Sequence, residues 1–129
     1  MTVSGRASDG LSGLARLQRA TSVGFTALAW AFRNEEAFRL EVLGGVVLIP
    51  LGLWLGHGGV ERALLAAAIL QVMIVELLNT AVEVVVDRIS IERHALSGLA
   101  KDLGSAAVMI SLLLATVIWA CIILPRFFQ

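Results

Sequence analysis

The chain has one cysteine, Cys121, which rules out both an internal disulfide framework and a cysteine-based zinc site. Cys121 lies in an apolar run and reads as a packing residue, since a free thiol behaves as a small hydrophobe. Charge is scarce: 16% of the 129 residues, ten basic against ten acidic. That balance points to no polyanion, and so to no nucleic acid partner. At 58% hydrophobic residues the chain is too apolar for an ordinary water-soluble domain, and its length allows one domain, residues 1–129. The first thirty residues contain no compact apolar segment ahead of a small-residue cleavage site, so no cleavable signal peptide is expected. The phosphate loops of soluble kinases, G-x-x-x-x-G-K-[ST] and G-x-G-x-x-G, do not occur. A nucleotide site here has to be built another way.

What the chain does have is long apolar runs. Residues 1–13 are rich in Gly, Ser and polar side chains and read as a flexible N-terminus. Over residues 14–33, Leu14, Leu17, Thr21, Phe25, Leu28 and Phe32 recur at helical intervals, while Arg16, Arg19 and Arg33 mostly point elsewhere. This predicts an amphipathic helix lying on the membrane surface, with its basic residues suited to anionic lipid. A dense charged segment, Arg33 to Glu41, then abuts three stretches long enough to cross a bilayer, at residues 36–56, 62–87 and 100–125. Pro50 falls inside the first, where a membrane helix tolerates a kink. Gly52 and Gly56 form a G-x-x-x-G pair that lets another helix approach. Residues 56–59 read as a turn carrying a solvated His57, and residues 87–100 as a polar connector. Gly104, Ala107, Ser111 and Ala115 give the third span a small-residue stripe for close packing. Trp54 and Trp119 fall towards one membrane side, as an aromatic belt would place them. The expected fold is an all-α integral membrane protein of three transmembrane helices plus an N-terminal surface helix.

Basic residues set the orientation. Arg6, Arg16, Arg19, Arg33 and Arg39 precede the first span, and Arg88, Arg93 and Lys101 flank the second connector; Arg62 and Arg126 mark the other side. The positive-inside rule places the N-terminus and the connector between the second and third spans in the cytoplasm. Glu35, Glu83, Asp87, His94, Lys101 and Asp102 then collect at the cytoplasmic face. Three helices shield several carboxylates poorly from lipid, so a homo-oligomer with sites shared between chains is expected.

The chemistry concentrates in Glu76-Leu-Leu-Asn79-Thr-Ala-Val-Glu83-Val-Val-Val-Asp87. At about 100° per residue, Glu76, Asn79, Glu83 and Asp87 fall in one narrow arc of a helix. An ionisable residue in a membrane helix is costly, which makes it a functional candidate. Glu35, Asn79, Glu83 and Asp87 offer the hard oxygen ligands that Mg²⁺ prefers, and Arg16, Arg19, Arg93 and Lys101 could clamp the phosphates it bridges. Glu76 lies about two turns deeper than Glu83, where a general base could act on a hydroxyl near the interface. Together these describe a phosphotransferase acting on a lipid alcohol. The same residues admit two other readings: interhelical hydrogen-bonding glue in a structural subunit, or an ion- or proton-conducting oligomer with Glu76 and Glu83 as a relay. His94 alone reads as a connector residue.

The run from Glu76 to Arg88, then His94, then Ala100-Lys101-Asp102-Leu-Gly104-Ser105-Ala106-Ala107-Val108, resembles the signature of the prokaryotic diacylglycerol kinase family. Asn34-Glu35-Glu36-Ala37-Phe38-Arg39-Leu40-Glu41 resembles that family's segment before its first span. The resemblance implies a homotrimer in the bacterial cytoplasmic (inner) membrane that transfers the γ-phosphate of MgATP to diacylglycerol, giving phosphatidic acid. It assigns Glu76 as general base, Glu35 and Glu83 as ligands of the Mg²⁺ that bridges the ATP phosphates, and Asn79 as support. Arg16, Glu92, Arg93, His94, Lys101 and Asp102 fall where such enzymes hold nucleotide, with Lys101 and Asp102 beside the reacting groups. Arg16, Arg39, Trp54, Arg62 and Ser105 fall where they meet lipid. Val23 and Thr26 depart from the pattern, standing where many relatives have an aromatic residue and a lysine. A branch of the same family phosphorylates undecaprenol instead, and the sequence leaves both lipids open.

Overall fold

A computed structural model describes residues 12–89 and 92–129; Arg6 and the rest of residues 1–11 lie outside the described residues. Four α-helices follow one another: α1 (Gly13–Asn34), α2 (Glu36–Leu55), α3 (Gly58–Ile89) and α4 (Ala95–Ile123), the last running into a short 3₁₀ turn at Leu124–Phe127. Three helical stretches, Glu36–Leu55, Gly58–Ile89 and Ala95–Phe127, are long and apolar enough to cross a membrane. The protein is an all-helical membrane protein.

Local chemistry sets the joints. Ser12 caps α1, its hydroxyl oxygen accepting from the Ala15 amide at 3.3 Å. A single extended residue, Glu35 (φ −111°, ψ 109°), separates α1 from α2. Arg39 stabilises that break by donating from Nη1 to the carbonyls of Phe32 at 3.1 Å and Arg33 at 3.3 Å, two of the orphan acceptors at the end of α1. The α2–α3 turn is tighter than the expected 56–59 segment: α3 already begins at Gly58, whose φ of +86° favours glycine. Glu61 accepts from the His57 amide at 2.7 Å, and Arg62 Nε donates to the Gly56 carbonyl at 3.2 Å, satisfying groups that a two-residue turn leaves open. The polar connector also shrinks. Helix α3 continues to Ile89, and α4 starts at Ala95 because His94 Nδ1 accepts from the Leu96 amide at 3.1 Å.

The core lies where α3 meets α4 and α2. Ala68, Val72 and Ala115 form its centre, with Ile118 and Trp119 packed against it and Leu65 fully buried alongside. Small residues let the backbones approach, as in other membrane bundles. A Cβ at Gly52 would come within 2.9 Å of Leu65 Cβ, and one at Gly45 within 2.9 Å of Met73 Cε. Gly52 therefore serves the close approach expected of it, whereas Gly56 closes the turn against Arg62.

Three expectations need correcting. Trp119 lies level with Gly52, on the same side as Trp54 as expected, but it is half-buried and donates from Nε1 to the Leu65 carbonyl at 3.1 Å, so it bridges α4 to α3 instead of facing outward as Trp54 does. Ala107 points outward; Val108, Ser111 and Ala115 continue the α4 face that starts at Gly104, because 104, 108, 111 and 115 keep one arc while 107 drifts out of it. Cys121 is exposed on α4 and is not part of the core of its own chain.

Helix α1 packs mainly against α2 and buries only Ala31. Its Leu14, Leu17, Phe25 and Leu28 stay exposed, which leaves an apolar stripe for the membrane surface.

Candidate active site

Short joints make α2, α3 and α4 run up, down and up, so the start of α2, the end of α3 and the start of α4 share one end of the bundle. Arg126 marks the opposite end, donating to Glu61 and to the Leu55 carbonyl. The chemistry-bearing residues gather at the first end.

Glu76 and Asn79 are buried on α3, with 6% and 9% of their surface exposed, and Glu83 is half-buried. Asn79 Nδ2 donates to Glu83 Oε1 at 3.5 Å, one helical turn along the stripe. Glu76 lies within electrostatic range of Glu83 and of Glu35, so α2's first residues and α3's acidic face form one cluster. The expected arc of Glu76, Asn79 and Glu83 is thus a real face, turned towards its neighbours rather than outward.

Beyond Glu83 the helix ends open into a cleft of about 420 Å³, lined by Asp87, Glu92, Arg93, His94, Ser97 and Lys101 among others. Lys101 Nζ lies 2.5 Å from Asp87 Oδ1 across its mouth. Four of the residues expected at nucleotide therefore come together: Glu92, Arg93, His94 and Lys101. Asp102, one position on along α4, is exposed and outside the cleft, and Arg16 sits on the exposed N-terminal part of α1. Trp54 and Arg62 lie at the other end of the bundle, Arg62 about 21 Å from Glu76 along the axis of α3. Arg39 is occupied by the α1 carbonyls, and Ser105 is exposed on α4 a turn beyond Lys101.

One residue escaped the sequence argument. Glu41 is half-buried on α2, within electrostatic range of Glu76, and one of its carboxylate oxygens is buried with no hydrogen-bond partner. It lines the mouth of an otherwise apolar groove of about 570 Å³ between α2, α3 and α4, with Gly44, Gly45 and Thr116 among its walls. The signal was present: Glu41 is the last charge before residues 42–60, hence the deepest acid on α2. In sequence it merely closes the charged segment Arg33 to Glu41, because its depth depends on how α2 packs on α3.

Among the described residues no three His, Cys, Asp or Glu side chains converge as a ready-made metal cage. Glu35 and Glu83 supply two hard oxygen donors, which fits a Mg²⁺ whose shell is completed by phosphates and water.

Fold and site together define a small integral membrane protein whose apolar helices carry an acidic stripe into a polar cleft at one end. The family model for prokaryotic diacylglycerol kinase matches residues 22–123. The diacylglycerol kinase of Pseudomonas aeruginosa is 50% identical over 115 residues, covering 89% of this chain and 94% of that protein. That of Haemophilus influenzae is 47% identical over 112 residues, 87% of this chain and 95% of its own. The Escherichia coli K12 protein of the same name is 42% identical over 117 residues, 91% and 95% respectively. The chain belongs to the prokaryotic diacylglycerol kinase family and is an enzyme of that family.

Proposed function

We propose that this chain transfers the γ-phosphate of MgATP to the free hydroxyl of diacylglycerol, giving phosphatidic acid and ADP at the cytoplasmic face of the bacterial inner membrane. The observation that carries the proposal is the spacing on α3. Buried Glu76 lies about 10 Å along the helix axis from Glu83, which is within electrostatic range of Lys101 in the wall of the polar cleft. A lipid hydroxyl is thus reached from the apolar side and a nucleotide from the aqueous side.

In the reaction, the Glu76 carboxylate takes the hydroxyl proton as the oxygen bonds to the γ-phosphorus. The bond from that phosphorus to the β–γ bridging oxygen breaks, and ADP leaves with that electron pair. Glu76 then returns its proton to solvent. Burial of Glu76 keeps water away from the hydroxyl it would act on. Glu35 and Glu83 would hold a Mg²⁺ ion, which would supply neutralisation of phosphate charge. Asn79 orients Glu83. Arg93, His94, Glu92 and Lys101 hold the nucleotide, and Lys101 moves from Asp87 to a phosphate oxygen. Arg39, Arg62, Trp54 and Ser105 meet the lipid.

Arg16 and Asp102 complete the nucleotide site from a neighbouring chain of a homotrimer. Their positions outside their own chain's cleft support this, as does the broad exposed apolar surface of each chain. The basic residues at the acidic end support a cytoplasmic N-terminus and α3–α4 connector.

Purified protein in mixed micelles, given MgATP labelled at the γ-phosphate, is expected to label dioleoylglycerol in preference to undecaprenol. Label passing to undecaprenol alone would overturn the lipid assignment. Label reaching neither lipid would overturn the proposed activity.

A further inference from the structure

We infer that Gly104 on α4 is a positioning residue for the Asn79–Glu83 pair, because the notch it leaves is what sets the orientation of the Asn79 amide. The inference rests on the proposed role of Glu83 in holding metal-bound nucleotide.

Asn79 enters the contact between α3 and α4 with its carboxamide facing Gly104. A Cβ at 104 would lie far inside van der Waals contact distance of Asn79 Oδ1, and 3.2 Å from Asn79 Cγ. The same Cβ would sit 3.9 Å from Asn79 Cα, an ordinary contact. The helices would therefore have no need to separate; only the carboxamide would have to turn. It has little to hold it against such a turn. Among the described residues Oδ1 is buried with no hydrogen-bond partner, and the one bond the amide makes is from Nδ2 to Glu83 Oε1, long at 3.5 Å. Turning the amide away from α4 swings Nδ2 off Glu83, which then loses the donor that holds its carboxylate. The space at Gly104, rather than a network of bonds, sets the geometry of the pair.

Glycine inside a helix is intrinsically unfavourable compared with alanine. Without the Asn79 contact, alanine at 104 should strengthen α4. With it, alanine should displace the amide and leave the fold standing. The effect of alanine at 104 is therefore expected to depend on what occupies position 79, as it would not for a residue that merely packs.

The test is a double-mutant cycle on full-length protein in detergent, with Gly104→Ala, Asn79→Ala and the double variant. Gly24→Ala, where the added Cβ meets nothing, is the control. Two quantities are read: the thermal midpoint without nucleotide, and the Kd for the non-hydrolysable analogue MgAMP-PNP. Gly104→Ala is expected to stay folded and to weaken MgAMP-PNP binding about tenfold or more, as losing a hydrogen bond to a charged group does. In the Asn79→Ala background it should weaken binding no further and should raise the midpoint. Additive losses in binding, or wild-type affinity in Gly104→Ala, would overturn the inference. Should Gly104→Ala not fold, the double variant decides: recovery of folding upholds the Asn79 contact, and continued failure rejects it. A wild-type chain that binds no MgAMP-PNP would instead reject the nucleotide role of Glu83, a result distinct from lost coupling with binding intact.

Discussion

Lys101 Nζ lies 2.5 Å from Asp87 Oδ1, tying the start of α4 to the end of α3 at the mouth of the polar cleft. Both side chains are well exposed, so the pair adds little to stability. In the proposed reaction the pair keeps a lysine poised where phosphate would displace a carboxylate. Lys101→Ala is expected to weaken nucleotide binding tenfold or more, since a charged donor is lost. Asp87→Asn removes the competitor and should leave binding equal or slightly tighter, with an unchanged thermal midpoint. Equilibrium titration with MgAMP-PNP separates the two; equal losses in both variants would mean that Lys101 is only a strut.

Glu76 and Glu83 share one face of α3 but are assigned different steps. Glu76→Gln is expected to lower kcat by about 10² to 10⁴, the usual scale for a general base, with the KM for MgATP little changed. Glu83→Gln should instead raise the Mg²⁺ concentration needed for half-maximal rate. EDTA should abolish transfer, and added Mg²⁺ should restore it. Steady-state kinetics with separately varied Mg²⁺, ATP and dioleoylglycerol checks the division; identical profiles for both variants would contradict it.

Glu41 combines a buried, unpartnered carboxylate oxygen with a like charge at Glu76. Both features cost stability. Glu41→Leu is expected to raise stability in detergent by about 1–3 kcal/mol, the cost of leaving such a group unsatisfied. The same change should depress phosphotransfer if the carboxylate serves the lipid hydroxyl. Thermal aggregation and activity measured on one preparation test the trade.

Beyond the Lys101–Asp87 pair, the contact between α3 and α4 rests on packing at Ala68, Val72 and Ala115 and, among the described residues, on two cross-helix hydrogen bonds. Trp119 Nε1 donates to the Leu65 carbonyl at 3.1 Å, and Gln71 Nε2 to the Ser111 carbonyl at 2.7 Å. Trp119→Phe should cost about 0.6 kcal/mol, the usual value for a membrane interhelical bond. Trp119→Ala should cost about 3–5 kcal/mol, because it also opens a cavity beside Gly52. Unfolding in mixed micelles with rising denaturing detergent gives both values.

Much of the site was legible because its signals are periodic or compositional. Glu76, Asn79 and Glu83 share a helical arc whatever the neighbours do, and carboxylates inside an apolar run stand out against it. Other features depended on distances between helices. In sequence Glu41 only closes the charged segment before the first apolar run, yet α2 brings it within range of Glu76. Trp119 read as an interfacial aromatic, yet its indole reaches the Leu65 carbonyl across the bundle. That Arg39 donates back to the carbonyls ending α1 could not be read from spacing either. Long side chains at helix ends have several partners in reach, and sequence spacing does not choose among them.

By itself the sequence determined that this is an all-helical membrane protein of three spans, with an acidic stripe on the second. Hydropathy and the 3.6-residue period are properties of the chain alone, and a bilayer leaves helices as the way to satisfy such apolar backbone. Only the tertiary structure decided which acids are buried together and which cations line the cleft. It alone also placed a missing side chain at Gly104 against the Asn79 amide. Those relations depend on how closely two helices approach, and that is set by small residues on both partners at once.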